Sequence, residues 1–192
     1  MSKQKRMVGM SGGIDSSVTA YILQKDGYEV EGVYLKLHDR TDGYHESNLS
    51  YIDGVAKFLG IKYHILDLSK KFKKDVYDYF VNSYIDGNTP NPCVKCNKNI
   101  KFGAMLDFAK EQGASFLATG HYVKTDGKFF YLADDLSKDQ SYFLSQVPKE
   151  AIASMMFPLS NYKKEDIIKL GANLDVTYKK ITEKMNHKRS VL

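Results

Sequence analysis

Cysteine is nearly absent. The chain has two, Cys93 and Cys96, three positions apart. A pair so close cannot staple a fold, so a disulfide framework is excluded and a reducing, cytoplasmic setting is expected. Long apolar runs are missing too: none approaches the roughly 20 residues of a membrane span. The first six residues are charged and lead straight into a strand-like run, so neither a secretory signal nor a membrane partner is expected. No internal repeat or low-complexity stretch is visible. Charge of one sign does not dominate. Lys and Arg number 28 against 23 Asp and Glu, a net +5, which suits a polyanionic partner without demanding one. What is there is ordinary globular material: 192 residues, 43% hydrophobic, enough for one α/β domain with a real core.

The most informative stretch is Gly9-Met10-Ser11-Gly12-Gly13-Ile14-Asp15-Ser16-Ser17. Met7 and Val8 before it can end a strand, and Val18, Tyr21, Ile22 and Leu23 after it can begin an amphipathic helix. A strand, a glycine turn and a helix N-terminus make an anion cradle. Gly12 and Gly13 let the backbone curl and approach a ligand. The first helical N–H groups have no internal partner, and the helix dipole adds positive charge. Ser11, Ser16 and Ser17 supply hydroxyls, and Asp15 can hold a hydrated Mg²⁺. No Lys-Ser/Thr pair follows the glycines, so this is not the common phosphate-binding loop, and the dinucleotide spacing is absent as well. A plain Gly-Gly turn capped by Ser and Asp would serve any strand–helix junction. Six matching positions tip the balance instead towards Ser-Gly-Gly-x-Asp-Ser, which resembles the PP-loop of the ATP pyrophosphatases.

Along the chain, residues 6–27 read as a strand–helix unit and 28–37 as a second strand, which predicts right-handed parallel pairing. Ligands in such sheets sit at the carboxyl ends of strands, so Leu35 and Lys36 should border one, although spacing alone makes Leu35 core. Residues 38–50 look like a polar loop. Its His38, Asp39, Asp42, His45 and Glu46 match no metal-ligand spacing. A helix through Ile52, Val55, Ala56 and Leu59, a strand over 63–66 and a Lys-flanked helix through Phe72 to Ile85 follow. Residues 116–122 read as a buried strand breaking at Gly120, where a ligand could approach the backbone. Asp126-Gly127 marks a hairpin. Ser137 to Leu144 has a cap-like start to an amphipathic helix. Residues 150–156 and 163–170 read as short helices, and 177–188 as a weak basic one.

The second informative stretch is Thr89-Pro90-Asn91-Pro92-Cys93-Val94-Lys95-Cys96-Asn97. Its prolines fix an extended turn. Asn97 is placed to cap the next helix, which would put Cys96 at a helix N-terminus beside Lys95, Lys98 and Lys101. Both effects favour the thiolate. Such a thiol can be a nucleophile, half of a redox pair or a metal ligand, whereas the bland alternative is a pair of inert buried cysteines. Zinc needs about four ligands and an iron–sulfur cluster three or four thiolates, so two cysteines support neither, even with His64 or His121 added. No metal ligand is assigned.

Together with these two stretches, Ile100-Lys101-Phe102-Gly103, Ala118-Thr119-Gly120-His121-Tyr122, Lys138-Asp139-Gln140-Ser141-Tyr142-Phe143-Leu144 and Phe157-Pro158-Leu159 resemble, in order, the N-terminal part of the tRNA-specific 2-thiouridylases. The resemblance implies a doubly wound parallel α/β sheet (PP-loop, adenine nucleotide alpha hydrolase-like) over residues 1–136, and an incomplete helical tRNA-binding region over 137–192 that diverges after about 170. It implies ATP and Mg²⁺, with ATP on Gly9, Met10, Ser11, Gly12, Gly13, Ile14, Asp15 and Ser16 and against Leu35 and Gly120. Uridine O2 would be adenylated, and sulfur would arrive as a persulfide from a donor protein. Asn91, Pro92 and Cys93 would hold the base; Lys138, Asp139 and Gln140 would touch tRNA of the Lys, Glu or Gln type. Cys96 matches the family's nucleophile, and Cys93 stands where many members carry Asp. The family's second cysteine, in a Ser-x-x-Ile-Cys-Phe segment, its linking domain and its β-barrel have no counterpart here, so sulfur transfer is expected to be incomplete. The other classes are a non-catalytic ATP- or tRNA-binding fragment and a Cys-x-x-Cys metal or redox module.

Overall fold

The computed structural model describes residues 4–39 and 42–172. The expected basic helix over 177–188 lies outside them. In chain order the elements are β1 (Lys5–Gly9), α1 (Ile14–Lys25), β2 (Glu29–Lys36), α2 (Tyr44–Leu59) and β3 (Lys62–Asp67). A helical stretch follows as α3 (Ser69–Phe72), a wide turn and α4 (Asp78–Ile85). Next come α5 (Pro92–Cys96), a wide-turn segment (Asn97–Met105) and α6 (Leu106–Glu111). The chain continues through β4 (Phe116–Ala118), the hairpin β5 (Lys124–Thr125) and β6 (Phe130–Tyr131), α7 (Lys149–Ile152), β7 (Met155–Met156) and α8 (Lys164–Ala172).

Five strands form one parallel sheet in the order β3-β2-β1-β4-β7. From β1 the chain winds outward through β2 and β3, then crosses back to β4 on the other side. The order therefore reverses beside β1, and the carboxyl ends of β1 and β4 diverge there, leaving a crevice. The strand period of two sends neighbouring side chains to opposite faces. Met7 packs with Met105, Leu106, Leu117 and Phe157 on one face, while Val8 packs with Leu23, Ile52, Val55 and Leu59 under α1 and α2 on the other. Both faces are covered, which is why the strands read as near-continuous apolar runs.

Several expectations change. Residues 44–50, read as loop, are the first turns of α2: Gly43 turns the chain at φ +76, and His45, buried on the inner side, takes an apolar position in the pattern. Polar identity hid that register. Residues 155–156, read as helix, are the edge strand β7, paired with β4. Residues 137–144 hold a single tight turn, Ser141–Leu144, and not a longer helix. The carboxylate of Asp139 explains this. It accepts from Ala133 N–H (2.9 Å), Ser141 N–H (3.2 Å) and Ser141 Oγ (2.6 Å), bracing a loop. The described residues beyond 136 supply β7 and also α8, whose Ile167 packs with Leu159 on Val18 of α1.

Candidate active site

The loop after β1 folds as its glycines dictate, with a division of labour. Gly12 sits at φ +78, a conformation that a side chain resists, and a Cβ there would lie 3.3 Å from the Asn48 carbonyl of α2. Gly13 is extended (φ −89) and is the N-cap of α1 without a side-chain cap. The hydroxyls take up the slack. Ser11 N–H donates to Ser16 Oγ (3.2 Å), which donates to the Gly13 carbonyl (3.0 Å). Ser17 Oγ donates to the same carbonyl (3.0 Å) and is buried, so it is turned away from the ligand side.

Opposite this loop, Thr119-Gly120-His121 follow directly on β4. A Cβ on Gly120 would stand 2.9 Å from Asp15 Cβ, 3.0 Å from Asp15 C and 3.1 Å from Ser16 N. The first turn of α1 therefore rests directly on the Gly120 backbone, and glycine is the residue that allows it. A cleft of about 450 Å³ opens between the two loops at the β1/β4 switch point. Gly9, Met10, Ser11, Asp15, Ser16, Leu35, Gly120 and Gln140 line it, which brings most of the expected ATP residues together. Gly12, Gly13 and Ile14 shape the turn behind it. Lys36, expected at its border, points elsewhere and pairs with Asp39 (2.7 Å) and Asp67 (3.2 Å), because the pleat that turns Leu35 inward turns its neighbour out.

The carboxylate of Asp15 is held from the far side. Tyr122 Oη donates to its Oδ1 (3.0 Å), and Lys164 Nζ at the start of α8 forms an ion pair with the same oxygen. Burial, then the Asp15 charge, pushes the Tyr122 phenol well above its ordinary value, so it stays a donor. Gln140 is clipped to the end of this loop, its Oε1 accepting from Tyr122 N–H (3.1 Å) and its own N–H donating to the Tyr122 carbonyl (2.9 Å). Lys138 is exposed.

The cysteine segment departs from expectation. Asn91, not Asn97, is the cap: its side chain accepts from Cys93 N–H (3.1 Å) and Val94 N–H (3.3 Å), with Pro92 in the first turn. Asn97 is buried mid-helix and donates to the Phe143 carbonyl (3.0 Å). Cys96 is therefore the last residue of α5, inside a continuing helix, and gains nothing from a helix N-terminus. Burial pushes its thiol above the ordinary 9.0 and outweighs the opposing pull of Lys101. Cys93 is exposed. Of the three lysines, Lys101 is the one coupled to the thiols. It lies five residues on, in the wide-turn register that stacks i over i+5. Gly103 tolerates that turn, since a Cβ there would be 3.0 Å from the Lys98 carbonyl.

Lys101 also lines the cleft and links the two halves of the site. Its Nζ donates to His121 Nε2 (3.3 Å), and His121 Nδ1 lies 2.7 Å from Thr119 Oγ1. Burial, then the neighbouring Lys101 charge, holds His121 well below its ordinary 6.5, so the imidazole is neutral, accepts at Nε2 and donates at Nδ1. Burial likewise lowers Lys101 from 10.5, against Cys96 and Cys93. Sequence reasoning missed His121 and Lys164 as site residues. His121 stood only within a motif and as a spare metal ligand, because its cleft-side partner Lys101 is 20 positions away; Lys164 carries no local signal, since its partner Asp15 is 149 positions away.

A polyphosphate fits the cradle, as Gly120 and the turn at Gly12 show. Asp15 is a carboxylate of the cleft wall and is the residue that would hold a magnesium ion carried on such a phosphate. Among the described residues no group of three or more His, Cys, Asp or Glu gathers to hold a metal. With His64 bound to Glu31 (2.8 Å) and His121 to Lys101 and Thr119, two thiols remain, and an iron–sulfur cluster does not fit this donor set. No helix of the described residues is long and apolar enough to cross a membrane.

The chain is similar to known proteins over nearly its whole length. It matches the tRNA methyl transferase HUP domain over residues 4–186, past the point near 170 where the motifs alone suggested divergence. A relative in Aliarcobacter butzleri, named tRNA-specific 2-thiouridylase MnmA 1, is 78% identical over 96% of this chain and 53% of its own length. The tRNA-specific 2-thiouridylase MnmA of Sulfurimonas denitrificans is 53% identical over 91% of this chain and 51% of its own. The chain thus spans about half the length of the curated relatives it matches. A 4-thiouridine synthetase, solved as an RNA complex with bound ATP, shares the fold at TM-score 0.58 and 20% identity, covering 94% of this chain and 42% of that one. The ordered motifs and the switch-point cradle agree with these matches, and the chain belongs to the family of the tRNA methyl transferase HUP domain.

Proposed function

We propose that this chain binds ATP and activates the wobble uridine of tRNA for 2-thiolation. The observation that carries the reading is the seat of α1 on Gly120. It leaves an open donor cradle at the β1/β4 switch point, with Leu35 on one wall and the part-buried Lys101–His121 pair on the other. ATP would lie on Gly9 to Ser16, its adenosine against Leu35 and Gly120. Uridine O2 attacks the α-phosphorus, the bond from that phosphorus to the bridging oxygen breaks, and pyrophosphate leaves. Backbone N–H groups and the helix dipole, already in place, meet the charge that builds on the phosphates. Mg²⁺ against Asp15 would neutralise part of that charge.

The second step is sulfur for oxygen at C2, with AMP as leaving group. The terminal sulfur of a persulfide from a donor protein would attack C2 and displace AMP; the Cys96 thiolate would then attack the donor-cysteine sulfur of that adduct, releasing the 2-thiouridine and leaving Cys96 in a disulfide with the donor cysteine. The raised pKa of the Cys96 thiol means that the thiolate needs the Lys101 cation beside it. Asn91, Pro92 and Cys93 would contact the base. Lys138 and Gln140 would meet the tRNA, with Asp139 bracing their loop. Cytoplasmic tRNA of the Lys, Glu or Gln type is the proposed substrate.

Pyrophosphate release from ATP and Mg²⁺, with and without such tRNA, is the test. Release that depends on tRNA supports the reading. Tight ATP binding with no release in its presence would favour a non-catalytic nucleotide-binding role.

A further inference from the structure

The loop Gly9 to Ser17 contains no lysine, although a triphosphate in a glycine cradle is usually met by one. The structure supplies a cation from elsewhere. We propose that Lys164 is a phosphate-contacting residue of this cleft, parked on Asp15 until a triphosphate arrives. The assignment rests on the ATP reading above and adds a named residue to it.

Three features place Lys164 for this task. Its backbone N–H donates to Asp135 (2.9 Å), which also accepts from Ser137, so the start of α8 is anchored. One turn on, fully buried Ile167 packs with Leu159 and Val18, which fixes α8 against α1. The Lys164 ammonium is thereby delivered to Asp15, a residue of the cleft wall and of the first turn of α1.

The pair is also built to open. Its side chains retain 17% and 33% of their exposure, so the pair is partly solvated and water can take part in exchanging its partners. When Lys164 leaves, the same Asp15 oxygen keeps the Tyr122 hydroxyl. The Tyr122 ring face, 5.9 Å from Nζ, lies alongside the ammonium and favours a cation near it. A triphosphate offers several negative charges against the single one of Asp15, so the exchange is favourable.

Geometry also says which phosphates. Leu35, next to the end of β2, lies on one side of β1, whereas Lys164 reaches Asp15 of α1 together with Tyr122, which follows β4 on the other. With the base end of the nucleotide towards Leu35, as in the ATP reading above, phosphates running along Gly9 to Ser16 lead to Asp15, beside which Lys164 stands. The outer two, which depart as pyrophosphate, are the ones it touches.

Equilibrium binding of ATP, AMP and inorganic pyrophosphate to wild type, Lys164→Met and Lys164→Arg tests this. Lys164→Met should weaken ATP and pyrophosphate about ten- to hundredfold, the range of a charge-assisted contact, and leave AMP unchanged. Lys164→Arg should restore most of the loss. Equal weakening of AMP and ATP would make Lys164 merely structural and overturn the assignment, as would wild-type affinity for all three. Wild type that binds neither ATP nor AMP would instead overturn the ATP reading itself.

Discussion

Replacing Gly120 by alanine adds one methyl group where the structure has no room for it. The new Cβ would stand 2.9 Å from Asp15 Cβ, 3.0 Å from Asp15 C and 3.1 Å from Ser16 N. Two of those atoms are backbone at the start of α1, so no rotamer change relieves the clash; the helix must slide or β4 must yield. Overpacking of this kind costs about 1–3 kcal/mol. For a chain of this size that lowers the melting temperature by about 2–12 °C. The same shift moves Asp15 and the Ser11–Ser16 hydrogen bond, so ATP affinity should fall more than tenfold, the equivalent of about 1.4 kcal/mol. Gly54→Ala is the control. A Cβ there meets nothing within 4 Å and sits inside α2, where alanine is favoured over glycine by about 0.5–1 kcal/mol. Thermal unfolding and equilibrium ATP binding on both variants decide the matter. Gly120→Ala with wild-type melting and wild-type affinity would refute the contact between β4 and the cradle.

Alkylation should separate the two thiols: iodoacetamide at pH 7.5, read by mass spectrometry, should modify exposed Cys93 first, and Cys96 should react faster as pH rises through its raised pKa. Equal rates would remove the burial argument. Asn91→Ala should cost about 1 kcal/mol in urea unfolding through loss of the α5 cap, with Asn91→Ser recovering most of it, and an unchanged midpoint would mean that the cap carries no energy. His121 gives a pH signature. Its folded pKa lies below 6.5, so the unfolded chain takes up a proton first, and stability is lost as pH falls from about 6.5 towards the folded value, by up to about 1.4 kcal/mol per pH unit. Unfolding at pH 7.5 and 5.5 should show a smaller loss in His121→Asn than in wild type; identical losses would refute the buried neutral imidazole.

The fold class and half of the site could be read from residues in a row. Gly12 needs positive φ, Ser16 bonds the turn three residues back, and apolar runs mark strands covered on both faces: all are local facts, written within a few positions. The sequence by itself therefore determined the glycine turn, the parallel sheet and the place of the cleft at its switch point. It misjudged whatever depends on burial. Cys96 looks activated beside three lysines, yet the desolvation that raises its thiol is set by how the helix packs. Asn97 looks like a cap, yet Asn91 reaches the free N–H groups first. Tertiary structure alone decided the long-range partners. Asp15 meets Lys164 from 149 positions away and Tyr122 from 107, and Lys101 meets His121 across 20. Such pairs leave no periodicity, because what joins them is the winding of the sheet, which brings the ends of β1 and β4, and the helices behind them, to one crevice.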